Sequence, residues 1–428
     1  MRILVVGGGG REHALCWALK RDAPATTLYA APGNPGTATL ATNLNIAATA
    51  LDDLVRAARE HTIDAVVVGP EAPLAAGLAD RLKAAGIASF GPSAAAAQIE
   101  ASKAFAKDVM DAAGVPTAAS RTFTAFAPAR DWIRAHAEPL VVKASGLAAG
   151  KGAVVCVTRA EAEATARAFL ESGTLGNAGR EILVEDFLAG EELSVLALTD
   201  GERYAMLPPA QDHKRLGEGD SGPNTGGMGA YCPVGLTSPA LLQRVRREVL
   251  EPTLAELARR GARYQGVLYA GLMVARDGTP NVLEFNCRFG DPEAQAILPA
   301  LAPGVSEHLW DIARNEWRPT TDLIAPQRAA VTTVLAAPGY PEKPELGAAI
   351  QVPQDLGPDV LVFHAGTSRD PDGMLRVHGG RVLNVTGLGT TVAAAARSSA
   401  AACARIDFQG KQYRHDIAWR EVRRAGAA

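Results

Sequence analysis

Four short apolar runs in the first hundred residues each end in a glycine-bearing loop. Residues 3–6 run into Gly7, Gly8, Gly9 and Gly10, and residues 27–30 into Pro32, Gly33, Asn34, Pro35 and Gly36. Residues 65–68 run into Gly69, Pro70 and Glu71, and residues 87–90 into Gly91, Pro92 and Ser93. Helical patterns over 11–20 and 51–61 separate them. Strand, loop and helix in this rotation predict a parallel α/β sheet. Such sheets bind ligands at the carboxyl ends of their strands, where every one of these loops lies.

The rest of the chain reads differently. Residues 102–122 look helical, with a break at Gly114, Val115 and Pro116. A strand-rich module follows: strands over 140–144 and 153–157, a helix over 160–171, and strands over 181–185 and 192–198. The expected division is an N-terminal domain over 1–101, a main domain over 102–122 and 191–325, a mobile lid over 123–190, and a small β-rich C-terminal domain over 326–428. The overall class is mixed α/β and α+β, with several domains.

Bulk composition limits the function. Basic and acidic residues nearly balance, at 43 against 46, so bulk charge does not indicate a nucleic-acid binder. Five scattered cysteines without a CxxC pair suggest a reducing cytoplasm rather than a disulfide framework. No apolar run approaches the ~18 residues of a membrane span. The eight histidines are dispersed, which argues against a zinc site.

The first glycine cluster continues into Arg11, Glu12 and His13. Its spacing fails the dinucleotide fingerprint, because Glu12 or His13 falls where the last glycine is required. Glycines before a helix still let backbone N–H groups approach an anion, and Arg11 adds charge. A phosphate-bearing small substrate fits; a purely structural turn is the competing reading.

Lysine is rare, with nine against 34 arginines, yet Lys103, Lys107, Lys143 and Lys151 fall within 49 residues. Between Lys143 and Lys151 lie Gly146 and Gly150, with Gly152 after. A P-loop needs a different spacing and a following helix. A glycine hairpin carrying two lysines suits nucleotide phosphates, whereas an ordinary hairpin would merely expose them.

Residues 283–289 alternate. Leu283, Phe285, Cys287 and Phe289 form an apolar face, while Glu284, Asn286 and Arg288 form a polar one. Three polar groups in a row on a buried strand are costly unless they bind something. A carboxylate and an amide oxygen suit Mg²⁺, and Arg288 can take a carboxylate or phosphate in bidentate fashion. A Gly-rich polar segment as long as 211–231 is expected to be functional, with disorder as the competing reading.

Taken together, these residues resemble the ATP-grasp ligases. Arg288, Phe289, Gly290, Asp291, Pro292, Glu293, Ala294 and Gln295 are similar to the signature of the phosphoribosylamine–glycine ligase family. The segments 7–13, 31–37, 69–73, 211–215, 223–231 and 363–367 fit the same family. The resemblance implies ATP-dependent ligation of glycine to 5-phosphoribosylamine through a glycyl phosphate, with Mg²⁺ or Mn²⁺.

It also implies roles for residues. Glu185, Phe187 and Leu188 lie in the adenine-reading hinge, and Glu191 or Glu192 holds the ribose. Lys103 and Lys143 meet the phosphates, with Gly146, Gly150, Lys151 and Gly152 closing over them. Glu284 and Asn286 ligate the metal. Asp212, Lys214 and Arg288 position glycine. Gly8, Gly9, Gly10, Arg11, Glu12, Asn34, Gly36, Thr37, Gly69, Pro70 and Glu71 take the ribosylamine phosphate. The expected partners are these small molecules, with no nucleic acid or membrane, and the expected state is a monomer or weak dimer.

Overall fold

The computed structural model describes residues 1–148, 150 and 152–426. The first hundred residues form a five-stranded parallel sheet. Its order is Thr42–Asn43, Thr27–Pro32, Arg2–Gly7, Ala65–Val68 and Ala88–Phe90. The first strand is buried along almost its whole length, as a central parallel strand must be. Its helix, Gly10–Asp22, starts where the strand's loop ends. A Cβ on Gly10 would come within 2.2 Å of the Asn384 amide and 2.7 Å of the Gln295 amide. Glycine is therefore what lets this helix start dock against elements from the other end of the chain.

The main body carries a four-stranded antiparallel sheet of Tyr204–Met206, Glu191–Thr199, Gly266–Val274 and Pro280–Asn286. A second five-stranded sheet joins Gln211–Asp212 and Gly229–Cys232 to Ala329–Ala336, Arg381–Gly389 and Val360–His364. This sheet crosses residue 326, so main-domain and C-terminal strands share one hydrogen-bond ladder.

The module over 120–186 has its own four-stranded sheet, ordered Ser120–Phe123, Ile182–Asp186, Leu140–Ala144 and Ala153–Cys156. Helices Phe126–Ala135 and Arg159–Leu170 cover it. Its core, including Phe123, Phe126, Ile133, Val142, Phe169 and Val184, is separate from the others.

The break expected at Gly114, Val115 and Pro116 is present, and only the helical reading of the residues after it is corrected. The helix starting at Lys103 stops at Ala113, with Gly114 in the left-handed region at φ +65°. Pro116 has no N–H to donate, and the residue before a proline avoids helix. The chain turns extended there: Thr117 bridges to Val282, and Ser120–Phe123 becomes a strand.

Candidate functional site

The strand Pro280–Asn286 lies at the edge of the main sheet, beside Gly266–Val274. A register shift at Gly271/Leu272 pairs Gly271 with Glu284 and Leu272 with Val282, passing over Leu283. The freed Leu283 carbonyl accepts a 2.8 Å hydrogen bond from Lys143 Nζ. The lid strand thus reaches the residue beside Glu284. The Asn286 side chain is nearly buried and makes no hydrogen bond among the described residues. Its amide oxygen and the Glu284 carboxylate are two hard donors two positions apart on one strand.

Lys143 also pairs with Glu185 at 2.6 Å. On the other side of the same carboxylate, Lys107 lies at 3.1 Å. Lys107 also donates to Thr117 Oγ1 at 2.7 Å and to the Ala118 carbonyl at 2.8 Å. All three charged groups are buried. Glu185 therefore ties the helix Lys103–Ala113 to the lid sheet. Burial pushes the Lys107 ammonium down, against the pull of Glu185. Lys103 opens that helix and donates its backbone N–H to the Ser145 carbonyl. Burial and neighbouring Lys143 lower its ammonium, while Glu284 opposes them. Two cations held close together and partly desolvated form a setting that an added polyanion would stabilise.

Phe187 is exposed and Leu188 partly buried, on the link between the lid strand Ile182–Asp186 and the main strand Glu191–Thr199. A Cβ on Gly190 would sit 2.3 Å from the Val274 carbonyl, so the link passes through a gap only glycine fits. Gly146 donates to the Ala178 carbonyl at 3.1 Å, and the Gly152 carbonyl accepts from Ala144 at 2.7 Å. Gly150 is at φ +80°, and Lys151 lies outside the described residues.

The third group of residues surrounds Lys214. Its ammonium is 2.7 Å from Glu192 and 4.0 Å from Glu284. Burial works against this cation, but Glu192, Asp212 and Glu284 outweigh it and raise it well above the usual lysine range. Burial pushes the Asp212 carboxyl up, and nearby Glu293 adds to the shift while Lys214 opposes it. The Glu284 carboxyl is held down despite burial by Lys214, Lys103, Lys143 and Arg288. Glu293 accepts from Ser194 Oγ at 3.1 Å and Tyr269 Oη at 2.9 Å. Glu191 points away from this group and pairs with Arg424 at 2.8 Å.

Arg288 leads to the N-terminal loops. Its Nε is 3.1 Å from Glu71 and its Nη2 2.8 Å from Glu100. Glu100 also accepts from the Cys287 N–H at 2.7 Å. Burial works to raise the Glu71 carboxyl, but Arg288 and Arg11 hold it below the ordinary range. Arg11 pairs with Glu12 at 2.6 Å and donates to the Phe289 carbonyl at 3.1 Å.

The loop residues divide into two kinds. Glu12 caps its own helix by accepting from the Gly9 N–H at 2.6 Å. Asn34 accepts from the N–H groups of Gly36 and Thr37 at 2.8 and 2.9 Å, and donates to the Gly8 and His364 carbonyls. Thr37 is fully buried on Asn34 and Asn43. Those three side chains are spent on fixing the loops to their own backbone and to neighbouring segments. Gly8, Gly9, Gly10, Gly36, Gly69 and Pro70 line the loops; the Glu12 carboxylate packs against Gly9 and Gly69, and Arg11 and Glu71 follow Gly10 and Pro70 in the chain. Behind them, His364 donates its backbone N–H to His13 Nδ1 at 2.9 Å.

Lys107, Glu100 and Glu293 went without a role in the sequence reading. Lysine scarcity already flagged Lys107, and Glu293 sits inside the quoted motif. Glu100 lies in an alanine-rich helix that carries no local signal.

Comparison with known proteins matches three stretches of the chain. The phosphoribosylglycinamide synthetase N domain matches residues 1–100, its ATP-grasp (A) domain residues 101–294, and its C domain residues 330–420. A phosphoribosylamine–glycine ligase of Nostoc sp. is 47% identical over 98% of this chain and 99% of its own length. One from Agrobacterium fabrum is 44% identical over the full length of both. The crystal structure of the Thermotoga maritima phosphoribosylamine–glycine ligase superposes with a TM-score of 0.87 at 33% identity, over 97% of this chain and 100% of that one. A biotin carboxylase of Campylobacter jejuni shares the fold, with a TM-score of 0.75 at 15% identity over 96% of this chain and 92% of that one.

Proposed function

From the chain's place in the phosphoribosylglycinamide synthetase family, to which it belongs, we propose that it ligates glycine to 5-phosphoribosylamine. ATP is consumed and glycinamide ribonucleotide, ADP and phosphate are formed, a step of purine biosynthesis. The observation that carries the reading is the 2.8 Å bond from lid Lys143 to Leu283, beside Glu284. It brings the Lys143 ammonium to the strand position next to Glu284, which supports a shared role for the two groups at the ATP phosphates.

The chemistry explains the parts. A carboxylate does not acylate an amine in water, because oxide is a very poor leaving group. Attack of a glycine carboxylate oxygen on the γ-phosphorus of ATP breaks the bond to the β-phosphate oxygen and gives glycyl phosphate and ADP. The ribosylamine nitrogen then attacks the acyl carbon, phosphate leaves, and the amine gives up a proton. The first step joins two anions. Lys103 and Lys143 offset the phosphate charge, and the loop with Gly146, Gly150, Lys151 and Gly152 closes over it.

Glu284 and Asn286 fit Mg²⁺ or Mn²⁺. No group of three or more His, Cys, Asp or Glu side chains suited to a metal occurs among the described residues. Two protein oxygens with phosphate oxygens completing the shell is the usual arrangement for Mg²⁺. When bound, the ion neutralises charge on the β- and γ-phosphates.

Glu185, Phe187 and Leu188 form the adenine-side hinge. Glu192, on the site face of its strand, takes the ribose; Glu191 faces Arg424 instead. Asp212 and Lys214 bind glycine. Arg288 stands between them and the ribosylamine loops, where Glu71 holds it. Gly8, Gly9, Gly10, Arg11, Gly36, Gly69 and Pro70 receive the 5-phosphate, and Glu12, Asn34 and Thr37 keep those loops in shape. Holding acyl phosphate and amine together gives an effective molarity on the order of 10⁵–10⁸ M. The lid over 123–190 closes on a body of 102–122 and 191–325, flanked by domains 1–101 and 326–428.

A monomer or weak dimer in the cytoplasm completes the proposal. Five free, buried cysteines support a reducing compartment. Sedimentation velocity across a concentration series tests the oligomeric state, and a stable tetramer would contradict it.

ADP release decides the reaction. The protein is given ATP and Mg²⁺, with ribosylamine phosphate formed in situ from ribose 5-phosphate and ammonia. ADP is expected only when glycine and the ribosylamine are both present. ADP release independent of both would reject the assignment.

A further inference from the structure

We propose that the C-terminal segment 413–426 is a positioning strap for the reaction centre, holding both sides of the Glu192–Lys214 ion pair from behind. The inference rests on the reading above, in which Glu192 serves ATP and Lys214 serves glycine.

Alternation along the chain makes the arrangement possible. Asp212 and Lys214 face the site, so His213 between them faces the other way. His213 is buried, and its Nε2 accepts the Ala418 N–H at 3.0 Å. An Nε2 that accepts has no proton, so the neutral ring carries it on Nδ1, which lies 3.7 Å from Asp220. Burial lowers the ring's proton affinity, in keeping with a neutral form. Alternation repeats on the strand Glu191–Thr199, in the neighbouring sheet. Glu192 faces Lys214 at 2.7 Å, so Glu191 faces away, and both its carboxylate oxygens meet Arg424 Nη2, at 2.8 and 3.2 Å.

Ala418 and Arg424 belong to one short segment. Its hold on the Gly-rich stretch is dense. Arg414, almost fully buried, pairs with Asp416 at 2.7 Å and Asp220 at 2.9 Å and donates to the Arg215 carbonyl at 3.1 Å. Asp416 accepts from Gly219, and Glu421 from Gly235. The segment carries no group that reaches the site. It acts through the backs of residues whose neighbours do.

The test uses full-length protein and steady-state kinetics in all three substrates. His213→Leu removes the acceptor for the Ala418 N–H, and the expected result is a KM for glycine about fivefold higher, in keeping with one lost hydrogen bond. His213→Gln, whose Oε1 can stand near the Nε2 position, restores it. Arg424→Ala raises the KM for ATP by a few-fold through Glu191. The ribosylamine KM stays at the parental value in each. Arg423→Ala, on the same helix without an ion pair among the described residues, matches the parent.

A merely structural role predicts a lower active fraction, with kcat reduced and every KM unchanged; that result overturns the proposal. So do parental kinetics in both His213→Leu and Arg424→Ala, or failure of His213→Gln to recover glycine affinity. Failure of the functional reading shows elsewhere, as a parent protein that releases no glycine-dependent ADP.

Discussion

The two sides of the candidate site are built on opposite plans. The side proposed to hold ATP is a separate module: residues 120–186 have their own sheet and core, and Glu185, clamped by Lys143 and Lys107, is a charged tie between that module and the body. The side proposed to hold the ribosylamine is interlocked. Asn34 donates to His364, Arg11 to Phe289, and His364 to His13, so segments hundreds of residues apart fix one another. A lid must open to admit nucleotide and shut to keep water from an acyl phosphate. A phosphate pocket made of backbone amides works only if the loops are already in place. Few attachments suit the first task and many suit the second.

Breaking the lid tie should have the largest effect. Glu185→Leu leaves two buried ammonium groups without their carboxylate, and a loss of about 3–5 kcal/mol in stability is expected. Denaturant melts would measure it, and a change below about 1 kcal/mol would show that the clamp is not what joins lid to body. Next comes the point where the two sides meet. Glu284→Gln should lower turnover at least ~10²-fold with the fold intact; near-normal turnover at low Mg²⁺ would remove the metal role.

Arg288→Ala should raise the KM for glycine about tenfold and spare ATP, because its partners Glu71 and Glu100 lie on the fixed side. Equal loss of both would make the two sides one unit.

The interlocked side should also carry a pH dependence that the lid does not share. Burial pushes His13 down to about 3, with His364 adding to it, and burial pushes His364 down to about 4, with Arg369 adding to it. The unfolded chain takes up these protons below about 6.5, and the folded chain does not. Their contribution is therefore complete above that pH and is lost as the pH falls toward 4. The slope approaches about 1.4 kcal/mol per pH unit for each histidine. His13→Gln should flatten it in melts between pH 6.5 and 4. An unchanged slope would place the acid sensitivity elsewhere, in the lid or its hinge.

Much of this was legible in the chain itself. Local periodicity marked the parallel sheet of the first hundred residues, since a buried parallel strand is a run of apolar residues and its ligand loop needs glycine. The alternation of Glu284, Asn286 and Arg288 followed from the strand's period of two. Lysine scarcity picked out Lys103, Lys107 and Lys143 because nothing about solvated lysines would concentrate them. The family came from the string at 288–295.

Pairings across the chain were not legible, because no local pattern encodes which distant group a side chain meets. Glu100 reads as one more helix residue until Arg288, 188 positions away, reaches it. Glu191 and Glu192 are chemically identical neighbours, and only the strand's orientation sends one to Lys214 and the other to Arg424. The break at Gly114, Val115 and Pro116 was expected, but the residues beyond it, read as helix, are a strand that pairs with Ile182–Asp186. The sequence by itself determined the elements, the loops and the kinds of group the site would use. Tertiary structure alone decided which carboxylate faces which cation, because charge pairing in a folded protein depends on distances of a few ångströms between residues that are far apart along the chain.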